Sequence, residues 1–391
     1  MVKPTVAEPR AEVVGSLLRG EAVLRAVRRG SLADQAVIND AVWDNIRLQE
    51  EAGLDVITDG EARRLGWVDT PRLLDCFAIY EGRGALNWRG GAPVPSGDAG
   101  TGPGGAAAPG GGTGPGGIGR QGAGGGYPTV VRRVADADRH GDPIDGYDFL
   151  ARHARVRTKF TLPAPSYHRR YWSASHSLAA YNNAEEYLTE IRDWLRESVD
   201  RLVALGCDYI QLDAPNYGSL CDPDTRARMV AEGRDPDAEL EFDVALDNSL
   251  FDGITGVTTA LHICRGNGPR GMWHSAGGYA AISGSMFGKL NFSRLLLEYD
   301  SDRAGDFGPL DDVREGTTVV LGLLTTKSDA LDDEDLVRSR IAEAARHKPL
   351  EHLALSTQCG FASAPPANPV SPESQRAKLR MVARIARSVW D

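Results

Sequence analysis

The sequence of 391 residues lacks several features, and each absence excludes a class of protein. No run approaches the roughly 18 apolar residues that a membrane-spanning helix needs, and the opening MVKPTVAEPRAEVV has no apolar core of a secretory signal. Acidic and basic residues are interspersed rather than gathered in blocks, and the formal net charge is −10. We therefore expect a soluble, cytoplasmic protein whose main partner is neither nucleic acid nor a membrane.

Cysteine is scarce and unevenly spaced. The chain has an odd number of cysteines, five in all, at positions 76, 207, 221, 264 and 359. In a chain without an export signal, such a set does not predict a disulfide framework. Reduced thiols, some of them bound to a metal, are the better interpretation.

One stretch departs from the globular composition of the rest. Residues 97–126 read GDAGTGPGGAAAPGGGTGPGGIGRQGAGGG, which offers almost nothing to bury, so this stretch is predicted to be a flexible surface insertion. Within it, GIGRQG matches the dinucleotide-binding pattern G-x-G-x-x-G, but no strand precedes it and no helix follows it. We therefore predict no cofactor loop there, and we expect residues 1–391 to form a single domain that carries this insertion.

Apolar strands alternate with amphipathic helices along the remaining sequence. Strands are predicted at 11–18, 54–61, 157–165, 207–215, 258–264, 294–300, 317–327 and 352–360. Helices are predicted at about 33–52, in the periodic segment around 188–202, and from about 372 to the end. Eight strands with intervening helices predict an α/β fold of the TIM (β/α)8 barrel type. A doubly wound open sheet usually has a phosphate fingerprint after its first strand, and this sequence has none.

Polar residues fall where these strands end. Since barrel strands are buried on both sides, reactive groups are expected at their carboxyl ends. The residues found there, in chain order, are Ser16, Glu61, Asp213, His262, Cys264, Glu298, Lys327 and Cys359. Each one alone fits a loop, a helix cap or a satisfied buried group, but their shared placement favours an active site.

Four of these residues have the side chains of a metal site. His262 and Cys264 lie two apart and share a strand face, Glu298 ends the next strand, and Cys359 ends the eighth. One imidazole, two thiolates and one carboxylate suit Zn²⁺ better than Mg²⁺ or Ca²⁺, which prefer oxygen ligands. An isolated His-x-Cys pair is more often an ordinary buried strand end, and the sequence leaves open whether Glu298 and Cys359 join it.

The donor set indicates a type of chemistry. With two thiolate ligands, a zinc ion is electron-rich and polarises carbonyl groups poorly. It is better suited to binding a substrate thiol and keeping it as a nucleophilic thiolate near neutral pH. A weakly held carboxylate ligand could give up its position to that thiol, so the set favours alkyl transfer onto sulfur.

The sequence resembles the C-terminal catalytic barrel of cobalamin-independent methionine synthase and the single-barrel proteins similar to it. The matching segments are VGSLLR near the start, QEEAGLDVITDGEARR at 49–64, YIQLDAP at 209–215, HIC at 262–264, the glutamate of LLLEYD, and QCG at 358–360. They span nearly the whole chain apart from the glycine-rich stretch and its surroundings. The resemblance implies a barrel of the uroporphyrinogen decarboxylase/methionine synthase type.

Roles for individual residues follow from this resemblance. It implies that the four residues named above bind zinc and that homocysteine is methylated to methionine. Ser16 would contact the carboxylate of homocysteine, while Glu61 and Asp213 would hold its ammonium group. Two carboxylates near one barrel mouth are a chemically reasonable partner for an amino group.

The sequence also departs from the family. We expect the 391 residues to hold one barrel, without the preceding N-terminal barrel of the complete enzyme, and an Asp-Glu-Pro motif is replaced by Asp213, Ala214 and Pro215. Where the synthase has a histidine regarded as the proton donor, the seventh strand ends with TTKSD, and Lys327 is the candidate catalytic residue. The methyl or alkyl donor therefore stays open between a folate, a corrinoid protein and another small molecule, as does the oligomeric state.

Other functions stay open at this point. The similar epoxyalkane:coenzyme M transferases use the same type of metal site to open an epoxide, and Arg63, Arg64 and Lys327 keep a sulfonate thiol in consideration. Retained acids at positions 61 and 213 favour an amino thiol instead. A metal-free decarboxylase of the uroporphyrinogen type and a barrel with purely structural zinc are the remaining alternatives.

Overall fold

Short parallel strands and helices alternate in the computed structural model, which describes residues 8–80, 88–90 and 126–391. The barrel strands, numbered in chain order, are β1 (Ala11–Glu12), β2 (Val56–Ile57), β3 in two segments (Arg157–Thr158 and Phe160–Pro163), β4 (Tyr209–Asp213), β5 (Thr258–Ile263), β6 (Arg294–Glu298), β7 (Thr318–Leu324) and β8 (Leu353–Thr357). An antiparallel pair, Phe77–Tyr80 with Tyr127–Val130, lies outside this series.

Strand β3 closes the sheet. Within the parallel sheet, β1 pairs with both β2 and β8, and the other strands follow in chain order from β4 to β8. The first segment of β3, Arg157–Thr158, pairs with β2, whereas the second, Phe160–Pro163, pairs with β4. The two ends of the sheet are therefore joined, and the predicted TIM (β/α)8 barrel is confirmed.

Helices surround this sheet. Their bounds are α1 (Glu21–Arg29), α2 (Leu32–Ala52), α3 (Thr70–Leu73), α4 (Tyr147–His153), α5 (Ala174–Ser177), α6 (Ala184–Ala204), α7 (Pro215–Leu220), α8 (Pro223–Ala231), α9 (Pro236–Ser249), α10 (Ser283–Met286), α11 (Glu334–Ala344) and α12 (Pro372–Trp390). The ends of the long helices are set by local sequence. Helix α2 begins with a capping box between Ser31 and Asp34, and Gly53, at a φ of 87°, ends it.

Each predicted strand is present, but the regular pairing stops earlier than the apolar pattern does. The first strand is predicted at 11–18, yet ladder pairing covers only Ala11–Glu12. Val13, Val14 and Leu17 are nevertheless buried. Val13 and Leu17 pack into the main hydrophobic core and Val14 into the barrel interior, so burial continues after the hydrogen-bonded ladder has ended.

The barrel interior is arranged in layers along its axis. A layer of apolar and aromatic side chains fills the middle and consists of Val14, Val56, Tyr209, Ala260, Leu296, Val320 and Ala354. A charged layer closes the amino-terminal end, where Glu12 accepts hydrogen bonds from Lys159 (2.6 Å), Arg294 (2.9 Å) and the Tyr209 hydroxyl (2.9 Å). The opposite, carboxyl-terminal mouth is the end of the barrel that this layer leaves open to a functional site.

The charged layer makes a testable contribution to stability. Burial raises the pKa of Glu12, but Lys159 and Arg294 outweigh it and hold the pKa below its usual value. Glu12→Gln would leave the buried Lys159 without its ion-pair partner and Arg294 with only the exposed Glu8, so we expect the free energy of unfolding to fall by about 3–5 kcal/mol. Chemical denaturation monitored by circular dichroism measures this change.

A matched control exists on the surface. Glu21 forms an ion pair with Arg25, and their side chains are 75% and 58% exposed. Glu21→Gln should change the free energy of unfolding by no more than about 0.5 kcal/mol, because exposed pairs contribute little. Equal losses in the two variants would contradict a stabilising role of the buried layer.

Two predictions made from composition concern membrane helices and the glycine-rich stretch. No helix within the described ranges is long and apolar enough to cross a membrane. The glycine-rich stretch at 97–126 lies outside the described residues, apart from Gly126. Its character and the single-domain organisation of residues 1–391 therefore stay predictions.

Candidate metal and substrate site

The carboxyl ends of β5 and β8 bring three of the predicted ligands together. His262 lies on β5 and Cys264 directly follows it, so the alternation of the strand turns both side chains towards one cavity. Cys359 follows β8 and lines the same cavity. The ligand atoms of the three residues lie within 4.8 Å of one another, and all three residues are buried. This arrangement can hold one metal ion.

The imidazole of His262 fits a metal ligand. Its Nδ1 lies 3.2 Å from the carbonyl oxygen of Leu296, which fixes the ring. Among the described residues, its buried Nε2 has no hydrogen-bond partner of good geometry. Buried polar atoms are rarely left unpaired, and a metal-binding histidine commonly donates its other nitrogen to a backbone carbonyl. One nitrogen and two sulfur donors suit Zn²⁺, so the residues present fit the metal that the resemblance implies.

The two thiols are electrostatically unequal. A hydrogen bond from Cys359 holds the pKa of Cys264 well below its usual value, and the His262 imidazole adds to this effect against the opposing effect of burial. The same hydrogen bond and burial raise the pKa of Cys359. Cys264 is therefore the more acidic of the two thiols. Because metal binding requires deprotonated cysteines, binding of a metal to this pair would release protons.

Glu298 lies at the end of β6 but outside this cluster of three. Its Oε1 accepts a hydrogen bond from the Arg303 guanidinium at 2.9 Å, and its Oε2 accepts one from the backbone N–H of Arg265 at 2.8 Å. Burial raises the pKa of Glu298, but Lys327 and Arg303 outweigh it and hold the pKa below its usual value. The carboxylate is thus ionised and already paired, and its role as the fourth metal ligand stays a prediction.

Lys327 is placed beside the site rather than in it. Its ammonium donates to the carbonyl oxygen of Gly266 at 2.8 Å and to Oδ1 of Asn267 at 3.1 Å. It lines a neighbouring open cavity together with Asp300 and Arg303, and it is absent from the lining of the cavity that holds the cluster. These contacts fasten the loop after β5, and the catalytic role of Lys327 stays a prediction.

Asn267 links the two loops that carry the cysteines. Its amide nitrogen donates to the carbonyl oxygen of Gly360 at 2.7 Å and to the Ser363 hydroxyl at 2.9 Å. Ser363 in turn lies 3.8 Å from the sulfur of Cys359. The loop after β5 is therefore tied to the loop after β8, which keeps their sulfur atoms close together.

Glu61 faces the same cavity from the loop after β2. Its backbone lies in the left-handed region with a φ of 54°, which is unusual for a residue other than glycine and costs on the order of 1 kcal/mol or more. Its Oε1 accepts a hydrogen bond from Thr161 at 3.1 Å, whereas its buried Oε2 has no partner among the described residues. Strained backbone and an unpaired carboxylate oxygen are typical of a binding group.

Asp213 approaches from the end of β4. Gln211 donates to its Oδ1 at 2.7 Å. Burial raises the pKa of Asp213 to about 7, with a contribution from the charge of Glu61 and against the opposing effect of His262. Two buried carboxyl groups that disfavour each other's ionisation make an attractive site for a cation such as an ammonium group.

Ser16 lines this cavity too, next to the loop that carries Cys359. A side chain at Gly360 would lie 2.0 Å from the Ser16 hydroxyl oxygen, so only glycine allows the two loops to come this close. The cavity has a volume of about 40 Å³. It is bordered by Ser16, by Glu61 and Asp213, which form an acidic pair, and by the cluster of His262, Cys264 and Cys359. Six of the eight residues predicted from the sequence are brought together in this cavity.

Other residues of the wall were not among the predicted site residues. They include Trp67, Trp88, Arg170 and His274. The Trp88 and His274 rings meet edge to face at 5.4 Å. Burial and nearby cations, Arg170 first among them, lower the pKa of His274 to about 3, so this ring is neutral. These residues come from loops of irregular length, and no periodic pattern or motif marks them in the sequence.

The comparisons with known proteins bear on the fold and the family of this chain. No family model matches the sequence. Two uncharacterised proteins of Bacillus subtilis (strain 168) are similar over nearly their whole length: YxjH is 32% identical and YxjG 31% identical, each with 97% of this chain and 94% of the relative covered.

Solved structures are similar along the full chain. A putative vitamin-B12-independent methionine synthase from Listeria monocytogenes has a TM-score of 0.68 and 25% identity, with 99% of both chains covered. A B12-independent methionine synthase from Shewanella sp. W3-18-1, in complex with selenomethionine, has a TM-score of 0.64 and 20% identity, with 97% of both chains covered.

A (β/α)8 barrel that carries a buried His–Cys–Cys cluster at the carboxyl ends of its strands defines a barrel of the methyltransferase type. This chain belongs to the family of single-barrel proteins related to cobalamin-independent methionine synthase. The family resemblance predicted from the sequence motifs is confirmed.

Proposed function

We propose that this protein is a zinc-dependent methyltransferase that methylates a thiol, and that the thiol is homocysteine, which becomes methionine. One observation carries the proposal: the buried cluster of His262, Cys264 and Cys359 shares its cavity with the acidic pair of Glu61 and Asp213. A metal bound by nitrogen and sulfur ligands can bind a thiol, and two nearby carboxyl groups can bind an ammonium group. The cavity therefore suits a substrate that carries both a thiol and an amino group.

Each end of homocysteine has a proposed partner. Glu61 and Asp213 receive the ammonium group. The buried Oε2 of Glu61 has no hydrogen-bond partner among the described residues, so it can accept one from the ammonium. Ser16 contacts the carboxylate from the loop beside Cys359. Held by the three ligands, Zn²⁺ would lower the pKa of the substrate thiol and keep it as a thiolate. The protein groups thus orient the sulfur towards the open part of the cavity, where a methyl donor approaches.

The overall reaction is a displacement at carbon. The homocysteine sulfur forms a bond to the methyl carbon, and the bond between that carbon and the donor breaks. The leaving atom keeps the bonding electron pair, and the proton lost by the thiol passes to that atom when it is a basic nitrogen, as in a folate, or to solvent when it is a corrinoid metal. The donor class remains open between a folate, a corrinoid protein and another small molecule, and Lys327 as the source of the proton remains a prediction.

X-ray absorption at the zinc edge tests the metal and the thiol together. We expect the purified protein to bind one equivalent of zinc, and the metal to gain one sulfur ligand when homocysteine is added, because a catalytic site keeps a position open for its substrate. Methionine formation is then measured with each class of donor. An unchanged zinc spectrum would indicate a structural metal site, and zinc binding without methionine formation from any donor would refute the proposed reaction.

A second candidate is an alkyl transfer to a sulfonate thiol such as coenzyme M. Arg170 favours it, because this residue adds a guanidinium to the wall of the same cavity. The acidic pair favours homocysteine, since the two carboxyl groups would repel a sulfonate. Calorimetric titration with homocysteine and with coenzyme M separates the two functions, and tighter binding of coenzyme M would make the sulfonate thiol the better candidate substrate.

A further inference from the structure

Residues 88–90 place an aromatic ring over the cavity from outside the series of barrel strands. Trp88 lines the cavity and is 5% exposed. A side chain at Gly268 would lie 2.4 Å from the Trp88 ring, so the ring rests directly on the backbone of the loop after β5. His274, on the far side of the same loop, contacts the ring edge to face. Trp88 is therefore a wall of the cavity that no barrel strand carries.

Arg89 fastens this wall to the barrel. Its backbone N–H donates to the carbonyl oxygen of Trp273 at 2.7 Å, and the N–H of Trp273 donates to the carbonyl oxygen of Arg89 at 3.0 Å. Its Nη1 lies 3.2 Å from Oδ2 of Asp222, its Nη2 lies 3.4 Å from Oδ2 of Asp224, and the guanidinium lies 5.5 Å from the centre of the Trp273 ring. The buried Asp222 is itself fixed by the N–H of Ala276 at 2.9 Å. The Arg89 side chain thus joins residues 88–90 to a fixed carboxylate and an aromatic ring.

A movable wall is needed because the groups of the site are buried. The six predicted residues that share the cavity are each 6% exposed or less. A substrate of the size of homocysteine can reach them only when part of the wall moves. The strand ends are held by the ladders of the closed sheet, whereas the described residues give the 88–90 segment two backbone hydrogen bonds, both with Trp273. A segment with so few backbone hydrogen bonds opens at a lower cost than a strand does.

We propose that Arg89 is a positioning residue that holds Trp88 over the cavity, and that the cavity opens to the substrate thiol when Arg89 releases Asp222. This proposal rests on the proposed function, since it assumes a thiol that binds beside the cluster. Among the described residues, Arg89 is not part of the cavity wall, so it acts on the substrate through Trp88. Its loss should therefore change the rates of substrate entry and exit together and leave the affinity nearly unchanged.

Arg89→Ala tests this role through the kinetics of homocysteine binding. We expect the association and dissociation rates both to rise about tenfold, which corresponds to a loss of roughly 1.4 kcal/mol from the contacts that keep the cavity closed. The dissociation constant should stay nearly unchanged. Stopped-flow absorption of the Co²⁺-substituted protein measures both rates without any methyl donor.

A second measurement needs neither a metal nor homocysteine. In the metal-free protein, an alkylating reagent such as iodoacetamide reaches Cys264 and Cys359 when the cavity is open. Their labelling should be about tenfold faster in Arg89→Ala, because labelling of a buried group follows the population of the open form. Labelling of Cys207, which is buried in the main hydrophobic core, should be unchanged. Mass spectrometry of the digested protein assigns a rate to each cysteine.

Arg338→Ala is the matched control for the loss of an arginine. Arg338 also pairs with two carboxylates, those of Glu334 at 2.9 Å and Asp335 at 3.3 Å. Its side chain is 35% exposed, against 34% for Arg89, but it lies on α11 and not beside the cavity. Neither the binding rates nor the labelling rates should change in this variant.

A double variant tests whether Arg89 acts through Trp88. Trp88→Ala removes the wall itself and should raise the association rate at least as much as Arg89→Ala does. Adding Arg89→Ala to it should change the association rate no further, because no ring is left to hold. Additive effects would mean that Arg89 stabilises the fold in general, and they would overturn the inference.

The results separate this inference from the function on which it rests. Faster association and dissociation at equal affinity, together with faster labelling of the two cluster cysteines, support the positioning role. Unchanged rates, or an affinity lost through slower association, overturn it, while homocysteine binding by the unmodified protein leaves the proposed function intact. If the unmodified protein binds no homocysteine, the proposed function fails, and the labelling rates still show whether Arg89 keeps the cavity closed.

Discussion

Replacing Cys359 with serine is expected to lower the affinity for zinc by at least about 100-fold, which corresponds to roughly 2.8 kcal/mol. Cys359 supplies one of three buried donors that lie within 4.8 Å of one another, so its loss leaves only two of these ligands. A serine hydroxyl is a much poorer zinc ligand at neutral pH than a thiolate. Zinc content after dialysis and competition with a chromogenic chelator measure the change.

Cys207→Ser is the matched control. Cys207 is also buried, but it lies at the amino-terminal end of β4, where its thiol is 3.3 Å from the carbonyl oxygen of Tyr209. A serine hydroxyl can make the same hydrogen bond, and zinc affinity should stay unchanged. Equal zinc loss in both variants would mean that the metal depends on folding rather than on Cys359, and retained zinc in Cys359→Ser would refute the cluster as the metal site.

Asp213→Asn is expected to weaken homocysteine binding by about 100-fold. This substitution preserves the size of the side chain, but it removes one of the two charges that face the ammonium group, and truncating a buried charge pair typically costs about 2–5 kcal/mol. Zinc affinity should be little affected. Calorimetric titration of the zinc-loaded protein with homocysteine measures the first affinity, and chelator competition measures the second.

A truncated ligand provides the control for this prediction. The thiol acid 4-mercaptobutanoate has the sulfur and carboxylate of homocysteine but no amino group, so it should bind Asp213→Asn at least as well as it binds the unmodified protein. If the variant weakens both thiols equally, Asp213 does not recognise the ammonium group. The same comparison applies to Glu61→Gln, whose unpaired oxygen faces the cavity.

The pH dependence of binding has a defined sign. Burial, with the charge of Glu61, raises the pKa of Asp213 to about 7, so below that pH much of the free protein carries a proton there. An ammonium group binds the ionised form, and homocysteine affinity should therefore rise as the pH increases through about 7. This rise in affinity with pH should be larger for homocysteine than for 4-mercaptobutanoate. The second ligand also has a thiol that loses its proton, but it has no ammonium group to contact Asp213. Asp213→Asn should remove the difference between the two ligands.

The positions of the strands along the chain could be predicted from the sequence, because buried parallel strands form short apolar runs. Buried segments such as YIQLD and TTALHI are apolar runs bounded by helical periodicity, and both became strands within two residues of the predicted bounds. The lengths of the first two strands were overestimated. Residues such as Val14 remain buried after pairing stops, and hydropathy reports burial rather than hydrogen bonding.

The cluster of His262, Cys264 and Cys359 could be predicted for the same reason. In a barrel, the carboxyl ends of all strands meet at one mouth, which brings together residues that lie far apart in the chain, and the family resemblance indicates which of them are ligands. The spacing of two in His-x-Cys then fixes the shared face. Glu61 and Asp213 were placed at the same mouth by the same reasoning.

The sequence by itself thus determined the barrel and its family, because strand patterns and family motifs are local properties of the chain, and it named six of the residues that meet in the cavity at the mouth. Only the tertiary structure shows which loop residues form the hydrogen bonds and ion pairs that position these side chains and their loops. Arg303 pairs with Glu298, Lys327 fastens the loop at Gly266, and Asn267 bonds to a loop residue 93 positions away. Such contacts depend on how irregular loops fold against one another, and no periodic pattern encodes them.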